Sequence, residues 1–197
     1  AHPHCGFEAI TYLLGGEVEH KDSWGGQAAI ETGDIQWMTT GSGLIHSELV
    51  TDKFKKSGGE MQGLQIWVNL PQKHKQVKPW YQHIKKNDIP TIDEGNDVLI
   101  KVLVGKVKNI SSAVQTYSPV SIFDVQFIKP SLIDLDISKN QIVMVYVING
   151  ELKFHNDNQI ARKGQMIYFD QSSDMINLTS ISPTGSYLVL AGQPLNE

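Results

Sequence analysis

Short runs of β-branched and aromatic residues, each bounded by Gly, Asn, Asp or Pro, recur from one end of the chain to the other. They predict strands over residues 9–14, 16–20, 28–30, 35–39, 63–70, 98–104, 122–127, 141–148, 151–155, 166–169 and 186–191. Helical periodicity is weak throughout. The stretch 71–89, with two prolines among Lys73, Lys75, Lys78, Lys85 and Lys86, reads as a surface connection. Many short strands separated by turn residues indicate an all-β protein of sandwich or barrel type.

The strand pattern contains a repeat. Tyr12-Leu-Leu-Gly-Gly-Glu-Val18 returns as Tyr146-Val-Ile-Asn-Gly-Glu-Leu152, and each copy leads to a further glycine that opens a strand, Gly33 in the first and Gly164 in the second. The repeat predicts a duplicated β unit, with one barrel over 1–115, including the connection, and another over 116–197.

Two histidine-bearing pairs give the first copy its chemistry. His2 and His4 form an H-x-H pair, and His46 and Glu48 an H-x-E pair. Alternate residues of a strand share a face, so each pair can aim two donor atoms at one point. Brought together, three imidazoles and one carboxylate would surround a divalent transition metal and leave one or two positions open. Projected onto the second copy, these ligand positions fall on Asp136, Ser138, Asn177 and Thr179, with no histidine among them. Two barrels and one metal are therefore expected.

Composition narrows the classes. With 197 residues, 40% of them hydrophobic, the chain can build folded cores. Seventeen basic residues against 21 acidic ones leave a net charge of -4, which argues against a nucleic-acid surface. Cys5 is the one cysteine, so no internal disulfide framework exists and a reducing compartment fits best. No apolar run approaches the roughly 18 residues of a membrane span. A cytoplasmic protein is expected, or a nuclear one in a eukaryote. The chain opens at Ala1, directly against the first pair, which predicts that a natural N-terminal segment precedes it.

H-x-H-x3-E-x6-G, here His2, His4, Glu8 and Gly15, resembles the first motif of the cupin superfamily, and Gly33 through His46 a degenerate second one. The fuller text, His2-Pro-His-Cys-Gly-Phe-Glu8, Gly33-Asp-Ile-Gln-Trp-Met-Thr-Thr-Gly-Ser-Gly-Leu-Ile-His-Ser-Glu48, Gly63-Leu-Gln-Ile-Trp-Val-Asn-Leu-Pro71 and Ala191-Gly-Gln-Pro-Leu-Asn196, resembles the pirin family of bicupins. The likeness covers nearly the whole chain and is densest before Pro71. It implies two tandem cupin jelly-roll barrels, one iron-type site on the residues matching His2, His4, His46 and Glu48, and a family association with quercetin 2,3-dioxygenase activity. Pirin-like proteins also partner other proteins, including transcription regulators. Cys5 departs from the pattern, which usually carries arginine there.

The resemblance places the carboxylate ligand at Glu48, leaving Glu8 to orient the site. Either Glu48 or Glu8 could act catalytically by taking a proton from a flavonol-type enol. Cys5 should face away from the metal as a packed thiol. His20, His74, His83 and His155 lack partners at metal spacing and read as solvated or hydrogen-bonded residues. Phe7, Trp37, Met38 and Trp67 are candidate walls of an apolar substrate pocket. The enzymatic reading is an Fe(II) dioxygenase acting on a small aromatic substrate and O2, with manganese, nickel, cobalt, copper or zinc as other occupants. Its rival is a non-enzymatic, metal-binding or redox-sensing regulator that docks on a partner protein. A compact monomer is expected in either case.

Overall fold

The computed structural model describes residues 1–95, 97–154, 159–169 and 174–195, which leaves His155 outside the described residues. The chain forms two compact units, Ala1–Asp88 and Ile89–Asn196. This division lies earlier than residue 115. Strands Thr91–Asp93 and Val98–Val104 hydrogen-bond into the second unit's six-stranded sheet, so they belong to that unit rather than to the first.

The first unit contains eight strands: β1 (His2–His4), β2 (Phe7–Gly15), β3 (Glu17–Asp22), β4 (Gln27–Glu31), β5 (Ile35–Thr39), β6 (Leu44–Val50), β7 (Gln62–Asn69) and β8 (Trp80–Ile84). One sheet has the order β1-β6-β3-β4, the other β7-β2-β5-β8. Ala9 and Met38 of the second sheet pack on Leu44 of the first, and Leu13 packs on Val18 and Ile30. The sheets thus share an apolar interior, each strand giving it alternate residues. A short helix, α1 (Asp52–Ser57), joins β6 to β7 and is capped by the Thr51 side chain, which accepts from the Phe54 N–H. No helix among the described residues is long and apolar enough to cross a membrane.

The stretch 71–89 is more than a connection. Its Trp80–Ile84 segment pairs with β5, from Ile35 opposite Ile84 to Thr39 opposite Trp80. All five residues of β8 are half-buried, without the alternation that would have advertised a strand.

The duplication is visible in the hydrogen bonds. In the first unit the Gly33 N–H donates to the Leu13 carbonyl at 2.7 Å; in the second the Gly164 N–H donates to the Val147 carbonyl at 2.8 Å. Each copy slips register at the same place, between Leu13 and Gly15 and between Val147 and Asn149. The residue after each slip is a glycine at positive φ, Gly16 at 90° and Gly150 at 84°. Only glycine takes that conformation without strain, and a Cβ at Gly150 would press on the Thr184 carbonyl and Ser182.

The equivalence fixes which residues replace the proposed ligands in the second unit. Val18 lies opposite Val50, and its counterpart Leu152 lies opposite Ser180. Counting back along both strands, His46 and Glu48 correspond to Ile176 and Leu178. His2 pairs with His46 and Leu135 with Ile176, so His2 and His4 correspond to Leu135 and Ile137. All four replacements are buried in the second unit's core, together with Val145, Val147, Tyr187 and Val189. The projection onto Asp136, Ser138, Asn177 and Thr179 is therefore one residue out. A slip of one turns a strand over, and those four side chains lie on its other face.

One buried carboxylate secures the first unit's turn before β5. Asp34 accepts from the Lys86 and Glu31 N–H groups at 2.9 and 3.1 Å, from His83 at 2.9 Å and from the Lys85 ammonium at 3.0 Å. Burial alone would push its pKa up; these donors outweigh burial and hold it below the usual 3.8. A depressed carboxyl stabilises the fold above the unfolded pKa and loses that contribution as pH falls through the folded value. Asp34→Asn should cost about 1–3 kcal/mol at neutral pH. Denaturant melts should show the gap from wild type narrowing below pH of about 4; a gap unchanged by acid would show that the charge is idle.

Candidate metal centre

β1 and β6 run antiparallel with His2 opposite His46, and β3 lies on the other side of β6 with His20 opposite Glu48 and Asp22 opposite His46. Because alternate residues share a face, three adjacent strands deliver His2, His4, His46, Glu48, His20 and Asp22 to the unit's interior side. The donor atoms of His2, His4 and His46 lie within 4.8 Å of one another. So do those of His20, His46 and Glu48. The four expected residues thus sit in two overlapping triads that share His46.

The first triad is spaced for an ion. His46 Nε2 and His2 Nε2 stand 3.0 Å apart. Donors at right angles, each about 2.1 Å from a metal, would be about 3.0 Å from each other. The three rings lie 4.5 to 4.8 Å apart between centroids and meet at steep angles rather than stacking. His4 Nε2 is buried without a hydrogen-bond partner, a state that costs free energy unless something binds its lone pair. These donors fit a transition metal.

Burial favours the neutral form of two of these imidazoles, His46 and His4. Burial, reinforced by His2, His20 and His4, pushes the His46 pKa down to about 4. Burial and His2 lower that of His4, with Glu48 opposing. At physiological pH both rings therefore carry free lone pairs, the form a metal requires.

Glu48 is held from the opposite sheet. Its Oε1 accepts from the Thr11 hydroxyl and its Oε2 from the Gln65 amide, both at 2.9 Å. The carboxylate lines a cavity of about 320 Å³ whose other walls include Leu13, Val18, Met61 and Leu64. Nearby, Phe7 and Trp67 flank His4, with ring centroids 5.1 and 5.6 Å from it. Trp67 is 62% exposed despite these contacts.

Glu8 is not brought to the cluster. It is fully buried and accepts from Trp37 Nε1 at 2.9 Å and the Thr39 hydroxyl at 2.7 Å. Glu8, Trp37 and Thr39 occupy the face of their sheet opposite Phe7, Ala9 and Met38, because β2 and β5 alternate. Of the candidate walls, Phe7, Met38 and Trp67 lie on the cluster side and Trp37 does not. Cys5 belongs to neither triad, yet it is an exposed thiol rather than a packed one, since the strand ends at His4. His83 is engaged by Asp34, and His74 also has a partner.

His20 carries more than its sequence context suggested. It is fully buried, with Nε2 3.1 Å from Asp22 Oδ2 and Nδ1 3.4 Å from His46 Nδ1. His20-Lys-Asp22 is a third i,i+2 pair of metal-competent residues, but only the pairing of β3 with β6 sets it beside the second pair.

Comparison with known proteins agrees with the all-β cupin architecture. Residues 1–68 match the pirin family model, and residues 122–197 match the model of the pirin C-terminal cupin domain. A Pseudomonas aeruginosa protein named as a putative quercetin 2,3-dioxygenase is 35% identical over all of this chain, which spans 68% of that protein. Pirin-1 of Arabidopsis thaliana is 34% identical, again over the whole chain and 67% of its own length. The crystal structure of an Acinetobacter baumannii protein titled quercetin 2,3-dioxygenase superposes with a TM-score of 0.93 at 36% identity, covering all of this chain and 68% of that one.

The two glutamates should separate on substitution. Glu8→Gln should lower stability by about 1–3 kcal/mol while leaving metal stoichiometry and affinity unchanged. Glu48→Gln should weaken the metal and spare the fold. Calorimetric titration with Fe(II), run beside thermal melts, reads both; equal losses of metal from the two variants would show that Glu8 reaches the ion.

Proposed function

We propose that this chain, which belongs to the pirin family, holds one divalent transition metal on His2, His4, His46 and Glu48 and serves a dioxygenase reaction on a flavonol-type substrate such as quercetin. The observation that carries the reading is a three-histidine cluster beside a carboxylate that borders a cavity. The names of the relatives supply the substrate class. Iron(II) is the ion we assign, because three neutral imidazoles and one carboxylate suit it and leave coordination open; manganese, nickel, cobalt, copper and zinc take similar donors.

Bound there, the ion would supply positive charge that acidifies a hydroxyl of the substrate and open positions for the reactants. The chain's own residues do the rest. Thr11 and Gln65 fix the Glu48 carboxylate in one orientation, so that an oxygen of Glu48 can accept the proton of an enolic hydroxyl. Leu13, Val18 and Met61 present apolar surface to an aromatic ring. At about 320 Å³ the cavity falls at the small end of ligand pockets. It favours the enzyme over the partner-binding regulator, for which no pocket is needed.

Anaerobic loading with Fe(II), then admission of O2 with quercetin present, should give substrate-dependent oxygen uptake. His46→Ala should lose both the bound metal and the uptake. A wild-type protein that holds its metal and consumes no oxygen would remove the enzymatic reading and leave the regulator.

A further inference from the structure

We propose that Asp22 and His20 are positioning residues that set the tautomer of His46, and so present its Nε2 lone pair to the metal. The inference rests on the metal-site reading above, but its evidence lies in a hydrogen-bond chain running away from the site. Asp22 Oδ1 accepts from the Trp24 N–H at 2.7 Å and the Gly26 N–H at 3.0 Å. Its Oδ2 lies 3.1 Å from His20 Nε2, His20 Nδ1 lies 3.4 Å from His46 Nδ1, and His46 Nε2 faces His2. His20 and His46 are both buried, and the Asp22 side chain is 4% exposed.

Proton placement in this chain follows from its end. A carboxylate has no proton to give, so His20 must carry its proton on Nε2. That leaves His20 Nδ1 as an acceptor, which requires His46 to carry its proton on Nδ1. The lone pair of His46 is then on Nε2, the atom that converges with His2. The same logic settles which triad uses His46. A neutral imidazole has one lone pair, and with Nδ1 donating to His20 it is directed to His2 and His4. His20 serves as an orienting group and is not a ligand.

Asp22→Asn gives a sharp test, because the amide oxygen is forced. Two backbone N–H groups demand an acceptor at the Oδ1 position, so the new NH2 group must face His20. The chain then inverts: His20 donates from Nδ1, and His46 is left with its proton on Nε2, where the metal should bind. Asp22→Ala removes the anchor without imposing the wrong tautomer. The nearly isosteric Asn should therefore be the worse of the two, lowering Fe(II) affinity about 10- to 100-fold, with Ala intermediate. A merely structural role predicts the reverse order.

The measurements are anaerobic Fe(II) titration and ¹⁵N NMR of the imidazoles in the full chain before metal is added. Wild type should show His46 protonated on Nδ1, and Asp22→Asn should show it protonated on Nε2. If Asp22→Ala does not fold, the spectrum and affinity of Asp22→Asn decide alone. An unchanged His46 tautomer in Asp22→Asn, or a larger loss in a folded Asp22→Ala, overturns the proposal while wild-type metal binding stands. A wild type that shows the Nδ1–H tautomer and takes up no metal would instead overturn the site reading and leave the hydrogen-bond chain intact.

Discussion

The centre depends on one constraint, the antiparallel register of three adjacent strands. His2 lies opposite His46, and His20 opposite Glu48, because β1, β6 and β3 pair without a slip along this stretch. With a side-chain period of two, shifting any of these strands by one residue would turn its donors out of the interior. The geometry of the donor atoms is thus set by backbone hydrogen bonds that are distributed along the sheet. The bulge between Leu13 and Gly15 matters here: it ends the regular pairing of β2 and sends the chain through Gly16 into β3. The residues of β3, His20 and Asp22 among them, inherit their register from that corner.

Much of this was legible in the sequence for a simple reason. Elements whose residues alternate or run apolar between turn formers declare themselves, as the match at Ile35–Thr39 and Val98–Val104 shows. The i,i+2 histidine pairs were readable because strand periodicity is strict. Three features were not. β8 is uniformly half-buried and lies among lysines and prolines, so its composition mimics a wet connection. Glu8 sits in a metal-binding motif, yet which face of β2 it takes depends on pairing with β5, which no local pattern states. His20 lacked a histidine neighbour, and its importance arises from Asp22 and from a strand partner 28 positions away, Glu48.

The two halves show how few positions of a cupin unit decide whether its interior is polar or apolar. Both keep the turn glycines, the register slip and the hydrogen bond from the next strand's glycine. In the first, the interior polar groups are costly and are compensated piece by piece: Thr11 and Gln65 for Glu48, Asp22 for His20. In the second, Leu135, Ile137, Ile176 and Leu178 fill the same positions with hydrocarbon and join a large apolar core. The same backbone therefore supports either an interior lined with metal-competent side chains or a purely cohesive one.

That correspondence bears on how such proteins change over generations. Since each donor position in one half has an aliphatic counterpart at the matching place in the other, chelation can be won or surrendered through a handful of codon changes, with no loop to rebuild and no strand to realign. The second unit shows the limit of that exchange already reached, its strands holding their pairing with hydrocarbon at all four places.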